Sequence, residues 1–443
     1  MAAWRLLDTP EVQRLRRVKQ LGVSEFVYPS ASHTRFAHSI GVYHNARRLV
    51  GLIQREIELE RVEGEFDAPR AKVAKFAALL HDVGHGPFSH AFEEARKAIA
   101  KERDAGESGA VKIHKHEHFS AEMIKNPAGT IGAILTDGGV DPSHVADLID
   151  SETPKDMYHA VVSSSFDADR LDYLMRDRYI TGIRIGGIDL EWLMDNVRVA
   201  AIDFSPPDSE GGEPIYQHSF CLAYKAREAA EDFLLARYRL YTNVYFHKTT
   251  RGFEQLISCI FRFIAERVVT DGRVAGLTED HPLVRFFSPD GETLENYSAL
   301  DDTVVWGALH ALARGGDGEL KTIASRILSR AKPLCIDVQH AFPDAPERQR
   351  RLKHRLNDRF KGKLNRSVFL DTAKLTLYGE IGADDKKAQK RLMIQLADRE
   401  LKEITDCPDA TITGSTKERP FERYYFLDAA DRTVAQEIID ALP

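Results

Sequence analysis

The chain has 443 residues, 43% of them hydrophobic, enough for a large core and, by length, about two or three domains. Its formal net charge of −7 argues against a general nucleic-acid binder, which usually shows a basic balance. No apolar run reaches the roughly 18 residues of a membrane span, and the N-terminus lacks the apolar region of a signal peptide; both point to a cytoplasmic protein. Its four cysteines, Cys221, Cys259, Cys335 and Cys407, lie too far apart for a disulfide framework or a zinc ribbon.

In chain order, Asp8 or Thr9 can cap a helix over 8–22, with Pro10 in its first turn and Gly22 at its end. Val12, Leu15, Val18 and Leu21 share one face, and the basic residues occupy the others. An extended piece at 26–29 leads into Ser32–Val42, which opens a long helix ending near Glu56. Arg35 and His38 are three apart and therefore share a helix face. A charged turn over 59–70 precedes helices at 71–83 and 88–99.

The stretch 81–90 holds three histidines, His81, His85 and His90, beside Asp82 and two glycines. An apolar helix that ends in His-Asp places ligands rather than packing residues. Glycine after the pair suits a helix stop. Residues 101–113 read as a mobile loop delivering His114, His116, Glu117 and His118, a tract that can equally be a surface patch. The chain is helical again over 141–183. There Asp169, Arg170, Tyr173 and Asp177 form one polar face, and Leu171, Leu174 and Met175 can be core.

Residues 205–214 read as a hairpin tip and 222–269 as helix, with Arg237, Tyr245 and Lys248 recurring beside His247. A loop-rich stretch at 271–300 precedes short helices at 303–314 and 318–331. After about residue 332, strands at 368–370, 374–378 and 424–427 interleave with helices near 344–358, 384–403 and 431–441. Three units follow: 1–200, 201–331 and 332–443.

His38, His81, Asp82 and Asp169 form a two-His, two-Asp set. Mixed imidazole and carboxylate donors suit Fe, Mn, Zn, Ni or Co and tolerate Mg. Four such donors without cysteine point to a catalytic divalent metal rather than a structural one. A metal there lowers the pKa of a bound water and polarises a phosphoryl oxygen. Arg35, Arg170, Arg237 and Lys248 can neutralise phosphate charge. His116, His85 or His90 can protonate the leaving oxygen, with Glu93 or Glu117 orienting the imidazole. The chemistry described is hydrolysis of a multiply charged phosphate ester.

At His38, His81-Asp82 and Asp169 the chain resembles the HD-domain phosphohydrolases. The blocks 8–22, 32–42, 81–90, His116-Glu117, 167–177, Tyr245 and His247-Lys248 resemble the deoxynucleoside triphosphate triphosphohydrolase (dNTPase, dGTPase) branch. That resemblance covers roughly residues 8–260. It implies a mainly α fold, an HD-domain helical core over 1–200. A helical extension over 201–331 is expected to complete the nucleotide pocket, and the interleaved strands and helices of 332–443 themselves read as a small α+β C-terminal lobe. It also implies cleavage of dNTP to deoxynucleoside and triphosphate by metal-activated water at the α-phosphate, with dGTP a candidate preferred substrate.

By the same resemblance, His38, His81, Asp82 and Asp169 hold the metal. His116, with His90, Glu93 and His85 nearby, does acid/base work. Arg35, Arg170, Arg237 and Lys248 contact phosphates; Gln20, Tyr173, Asp177, Tyr245 and His247 surround sugar and base. Tyr173 and Asp177 are the candidates for the 3′-hydroxyl contact. Arg170 stands where the animal enzyme has a lysine. Asp8, Gln13 and Arg16 match the base-reading part of a regulatory nucleotide site that relatives complete with an upstream segment. A homo-oligomer, a nucleotide activator and no nucleic-acid partner are expected. The alternatives are an HD enzyme on another nucleotide, as a phosphatase or phosphodiesterase, or a non-catalytic nucleotide sensor.

Overall fold

Buried Val42, Ala46, Leu49, Val50 and Ile53 recur at three- and four-residue steps and give the helix Arg35–Glu58 a continuous apolar stripe. In the computed structural model, which describes residues 2–104, 114–151, 156–184, 186–205, 215–377, 391–407, 409–412 and 419–442, that stripe meets two more helices. They are Ala68–Leu80 and Ala168–Thr181. Each is started by an aspartate whose side chain accepts a backbone N–H: Asp67 from Arg70, Asp167 from Arg170. The helix His90–Asp104 packs against Lys248–Asp271, which closes the main core.

Two glycines set the distances between these helices. A Cβ on Gly84 would lie 2.2 Å from Ser120 N, so only glycine admits the helix His116–Lys125 this close. Ser120 Oγ then joins both sides, donating to His81 O at 2.7 Å and accepting from Gly84 N at 2.9 Å. A Cβ on Gly41 would lie 1.7 Å from Asp172 Oδ1, so Gly41 opens the gap that lets Asp172 reach the Arg35–Glu58 helix.

The fold is mainly α, as expected, with two small sheets, and several element boundaries differ. The single helix over 8–22 is instead one short helix, Pro10–Arg14, and a 3-10 turn, Leu15–Arg17, preceded by the short helix Ala2–Leu7. Val18 goes extended there because its carbonyl accepts from Arg35 N at 2.9 Å and Lys19 pairs with Thr34. The apolar spacing still buries Val12, Leu15 and Val18 completely. Within 26–29, Phe26 ends the 3-10 helix Ser24–Phe26 and residues 27–29 are turns and a bend, not extended chain. The helix expected at 71–83 stops at Leu80, leaving His81 and Asp82 in the next turn.

The stretch 222–269 is split. A strand runs to Ala223, then come the helix Arg227–Leu240, a π-helical turn Tyr241–Tyr245 and the helix Lys248–Asp271. Within the loop-rich 271–300 stretch are two short helices, Pro282–Phe287 and Leu294–Ser298.

The strands are β1 Val197–Asp203, β2 Tyr216–Ala223, β3 Leu334–Asp337, β4 Val368–Leu375, β5 Met393–Gln395, β6 Leu401–Glu403 and β7 Arg419–Phe426. One sheet has the order β1-β2-β5-β6, with β2 and β5 parallel through Leu222 and Ile394. The other is β3-β7-β4, all antiparallel, with Val368 and Leu334 both opposite Phe426. It carries its own small core of Ile336, Leu352, Leu356, Phe360, Tyr424 and Phe426. The helix expected at 384–403 is corrected over 391–403, where Ile394 is drawn into the ladder beside Leu222 as part of β5. Its first residues lie outside the described residues, as do most of the 101–113 loop and the 205–214 hairpin tip. Among the described residues no helix is long and apolar enough to cross a membrane.

Candidate active site

The turn after the Ala68–Leu80 helix aims His81 and Asp82 at residues on two other helices. His38 comes from the Arg35–Glu58 helix and Asp169 from the first turn of Ala168–Thr181. His38 Nε2 lies 3.0 Å from Asp169 Oδ1 and 3.8 Å from Asp82 Oδ2. His81 Nε2 lies 3.2 Å from Asp82 Oδ1 and 3.8 Å from Asp169 Oδ1. The donor atoms of His38, His81 and Asp82 fall within 4.8 Å of one another. All four expected metal ligands are therefore brought together.

Whether they fit a cation is decided by their unmet valences. His38 Nε2 and His81 Nε2 are buried and have no well-formed hydrogen bond. Their outer nitrogens are fixed: His38 Nδ1 by Asp172 Oδ2 at 2.8 Å and His81 Nδ1 by Ala78 O at 2.9 Å. With each Nδ1–H donated outward, both Nε2 lone pairs face the carboxylates, which is a ligand arrangement. Burial disfavours charge on His38, yet Asp169 and Asp172 outweigh it and raise its pKa to about 10. Asp169 is pushed up by burial but held down to about 2 by His38 and His81. A pocket with that much negative potential calls for positive charge, and mixed N/O donors suit a divalent ion.

Asp172 was not foreseen from the sequence. Arg176 grips it twice, at 2.7 and 2.8 Å. Its clue is position, three residues after Asp169 on the same helix. Arg35, expected at a phosphate, is buried and turned to Asp82 Oδ2 at 2.5 Å and Ser89 Oγ at 2.9 Å. Here it orients Asp82 within the His-Asp set. It also keeps the Asp82 carboxyl, which burial alone would raise, well below the usual range.

Beside the metal set stands a histidine group. His85 Nε2 lies 3.3 Å from Asp82 Oδ1, and its ring stacks on His116 at 3.7 Å. His116 Nδ1 bonds Glu93 Oε1 at 2.8 Å, and His90 Nδ1 lies 3.5 Å from Glu93 Oε2 with its ring largely exposed. Burial pushes His116 down, but Glu117 and Glu93 outweigh it and raise it above 6.5. Burial and the charges of Arg35 and His116 drive His85 well below 6.5. The stacked pair thus holds one proton-rich and one proton-poor imidazole. The rest of the histidine tract goes elsewhere: His118 stacks on His114 at 3.8 Å and lies 3.8 Å from Asp150.

A third group lines the other flank. Asp177 is buried, accepting from Tyr245 Oη at 2.7 Å and pairing with His33 Nε2 at 2.8 Å. Tyr173 meets Tyr245 edge-on at 6.4 Å, and Tyr241 meets Tyr245 at 4.7 Å. His33 and Tyr241 were not singled out from the sequence; the first lies two residues before Arg35, the second begins the π turn. Gln20 donates its backbone N–H to His33 O, and its buried Oε1 has no hydrogen-bond partner.

Arg170 is tied to Asp167 and Ser164 O, and the Arg237 guanidinium sits 6.0 Å from the Tyr241 ring. His247 caps the Lys248–Asp271 helix, accepting from Thr249 N, and Lys248 is exposed at its start. Asp8, Gln13 and Arg16 form a separate surface strip. There Arg16 bonds Gln13 Oε1 at 2.8 Å and lies 3.7 Å over the Phe36 ring.

Residues 35–174, which contain all four ligands, match the HD domain family. An uncharacterized protein of Bacillus subtilis, YwfO, is 31% identical over 330 residues, covering 74% of this chain and 66% of that one. The deoxynucleoside triphosphate triphosphohydrolase SAMHD1 homolog of Dictyostelium discoideum is 34% identical over 268 residues, covering 58% of this chain and 45% of that one. A crystal structure of a phosphohydrolase from Bacteroides thetaiotaomicron superposes with a TM-score of 0.71 at 25% identity, covering 96% and 95% of the two chains. The chain spans about half to two thirds of the length of the curated relatives it matches. Its ligand set, helical core and relatives agree: the chain belongs to the HD-domain phosphohydrolase superfamily.

Proposed function

We propose that this protein is a metal-dependent dNTP triphosphohydrolase that releases deoxynucleoside and intact triphosphate. The observation that carries the reading is one helix, Ala168–Thr181, which bears Asp169 at the metal set and Tyr173 and Asp177 at the aromatic flank. A phosphate-cleaving centre and a nucleoside-sized wall are thereby built from one rigid element. The likeness to a protein named as a deoxynucleoside triphosphate triphosphohydrolase supports the substrate class.

A bound divalent cation supplies Lewis-acid stabilisation of phosphoryl charge and a more acidic water. His38, His81, Asp82 and Asp169 would hold it. His116 is the general acid: Glu93 accepts its Nδ1–H, so Nε2 can deliver a proton to the leaving deoxynucleoside oxygen. His85 stays neutral beside it and offers a hydrogen bond to the phosphates; His90 shares Glu93 at the open edge. Arg170, Arg237 and Lys248 meet the triphosphate, and Gln20, Tyr173, Asp177, Tyr245 and His247 surround sugar and base. A regulatory nucleotide at Asp8, Gln13 and Arg16, a preference for dGTP and assembly of a homo-oligomer belong to the same proposal.

Incubation with each dNTP and Mn²⁺, followed by chromatography, tests it. Deoxynucleoside plus triphosphate is expected, abolished by chelation. Monophosphate plus pyrophosphate, or stepwise phosphate release, would overturn it.

A further inference from the structure

Two buried charged residues take no part in the proposed chemistry, yet both grip the loop 83–89. Arg14 is 2% exposed and has no carboxylate within bonding distance among the described residues. Its guanidinium donates instead to three carbonyls: Val83 O at 2.8 Å, His85 O at 2.7 Å and Leu300 O at 2.7 Å. A cation placed on carbonyls just past a helix C-terminus is electrostatically favoured. Asp302, also 2% exposed, accepts from Phe88 N at 2.8 Å and from Lys19 N at 2.9 Å. Tyr297 Oη donates to Gly84 O at 2.8 Å.

The loop so held is strained. Phe88 and Ser89 both have left-handed backbone, φ +52 and +47, although neither is glycine. Such residues persist only where their surroundings over-determine them, and they concentrate at functional sites. Apart from Ser120 at Gly84 N, the backbone anchors of the stretch Val83–Phe88 named above come from Arg14, Tyr297 and Asp302. The loop delivers His85 to its stack with His116 and Ser89 to Arg35.

We propose that Arg14 and Asp302 are positioning residues, a brace that holds His85 against His116 by fixing the strained loop 83–89. His38, His81 and Asp82 precede the braced segment, Asp169 stands on the separate helix Ala168–Thr181, and Asp82 is secured by Arg35. The brace therefore acts on turnover rather than on metal retention. Its catalytic consequence rests on the proposed reading of the site; its mechanical consequence does not.

The test uses the full chain loaded with Mn²⁺ and two variants. Asp302→Asn keeps the shape but has one acceptor oxygen where two N–H groups need one each. Arg14→Lys keeps the charge but loses the fork that spans three carbonyls. Hydrogen–deuterium exchange of peptides covering 83–89 is expected to quicken about tenfold or more in both. Peptides from 35–58 and 248–271 should keep native rates, and the Mn²⁺ dissociation constant should stay within about threefold. With dNTP, kcat is expected to fall at least tenfold with KM near native. Native exchange at 83–89, or exchange raised equally across the chain, would overturn the brace. If no dNTP is turned over by the native protein, the function fails while the exchange result still decides the brace.

Discussion

Glu93 holds the Nδ1 of His116 at 2.8 Å and, with Glu117, favours the proton on that imidazole. Glu93→Gln removes the negative partner, so the raised pKa of His116 should fall. We expect kcat to drop about 100-fold, within the range general acid catalysis supplies, with KM little changed. The pH profile gives the sign. In the proposed mechanism His116 acts in its protonated form, so activity is expected to be lost as pH rises through its folded pKa, which is raised above 6.5. In Glu93→Gln that alkaline limb should move to lower pH; an unmoved limb would remove His116 from the acid's role. Asp172 plays the matching part for His38. Asp172→Asn should weaken Mn²⁺ binding about 10- to 100-fold, the usual effect of losing a carboxylate behind a ligating histidine. Titration against a chelating dye measures it.

Among the elements, close helix approach carries the geometry. Gly84→Ala would force a Cβ into Ser120 N and drive the His116–Lys125 helix away from the His-Asp turn. Overpacking of this kind costs about 1–3 kcal/mol, visible as a lower urea midpoint with an unchanged slope. The His-Asp pair at a helix end, the 35–58 helix and the polar face of 168–181 were all legible, because each is a local pattern of period or cap. Asp172, Arg176, His33, Arg14 and Asp302 were not. Their meaning lies in partners far along the chain, such as His38 with Asp172 or Arg14 with Leu300, which no local spacing reveals. Arg35 was expected at a phosphate; its partner here is Asp82. The break in the expected 8–22 helix has the same origin: a pairing of Val18 and Lys19 with 34–35 overrides the helical pattern.

At the scale of the molecule, the C-terminal sheet buttresses the Tyr245–Lys248 segment. Arg423 on β7 donates to Phe246 O at 2.5 Å and to Asp337 Oδ2 at 2.8 Å. Arg251 on the long helix pairs with Asp371 on β4 and with Glu254. Asp371→Ala leaves Arg251 short of a buried partner and should destabilise by about 3 kcal/mol, read from the unfolding midpoint. The β2–β5 pairing ties the 391–407 segment to strands that precede residue 332. The expected lobe therefore has its own small core while contributing strands to a shared sheet.

The central claim, water attack at the α-phosphate with the deoxynucleoside 5′-oxygen leaving and the triphosphate released intact, is tested most directly by one turnover experiment in ¹⁸O-labelled water. With Mn²⁺ and a dNTP, the account predicts one ¹⁸O atom in the released triphosphate and none in the deoxynucleoside. Label in the deoxynucleoside, or products of monophosphate and pyrophosphate, would contradict it.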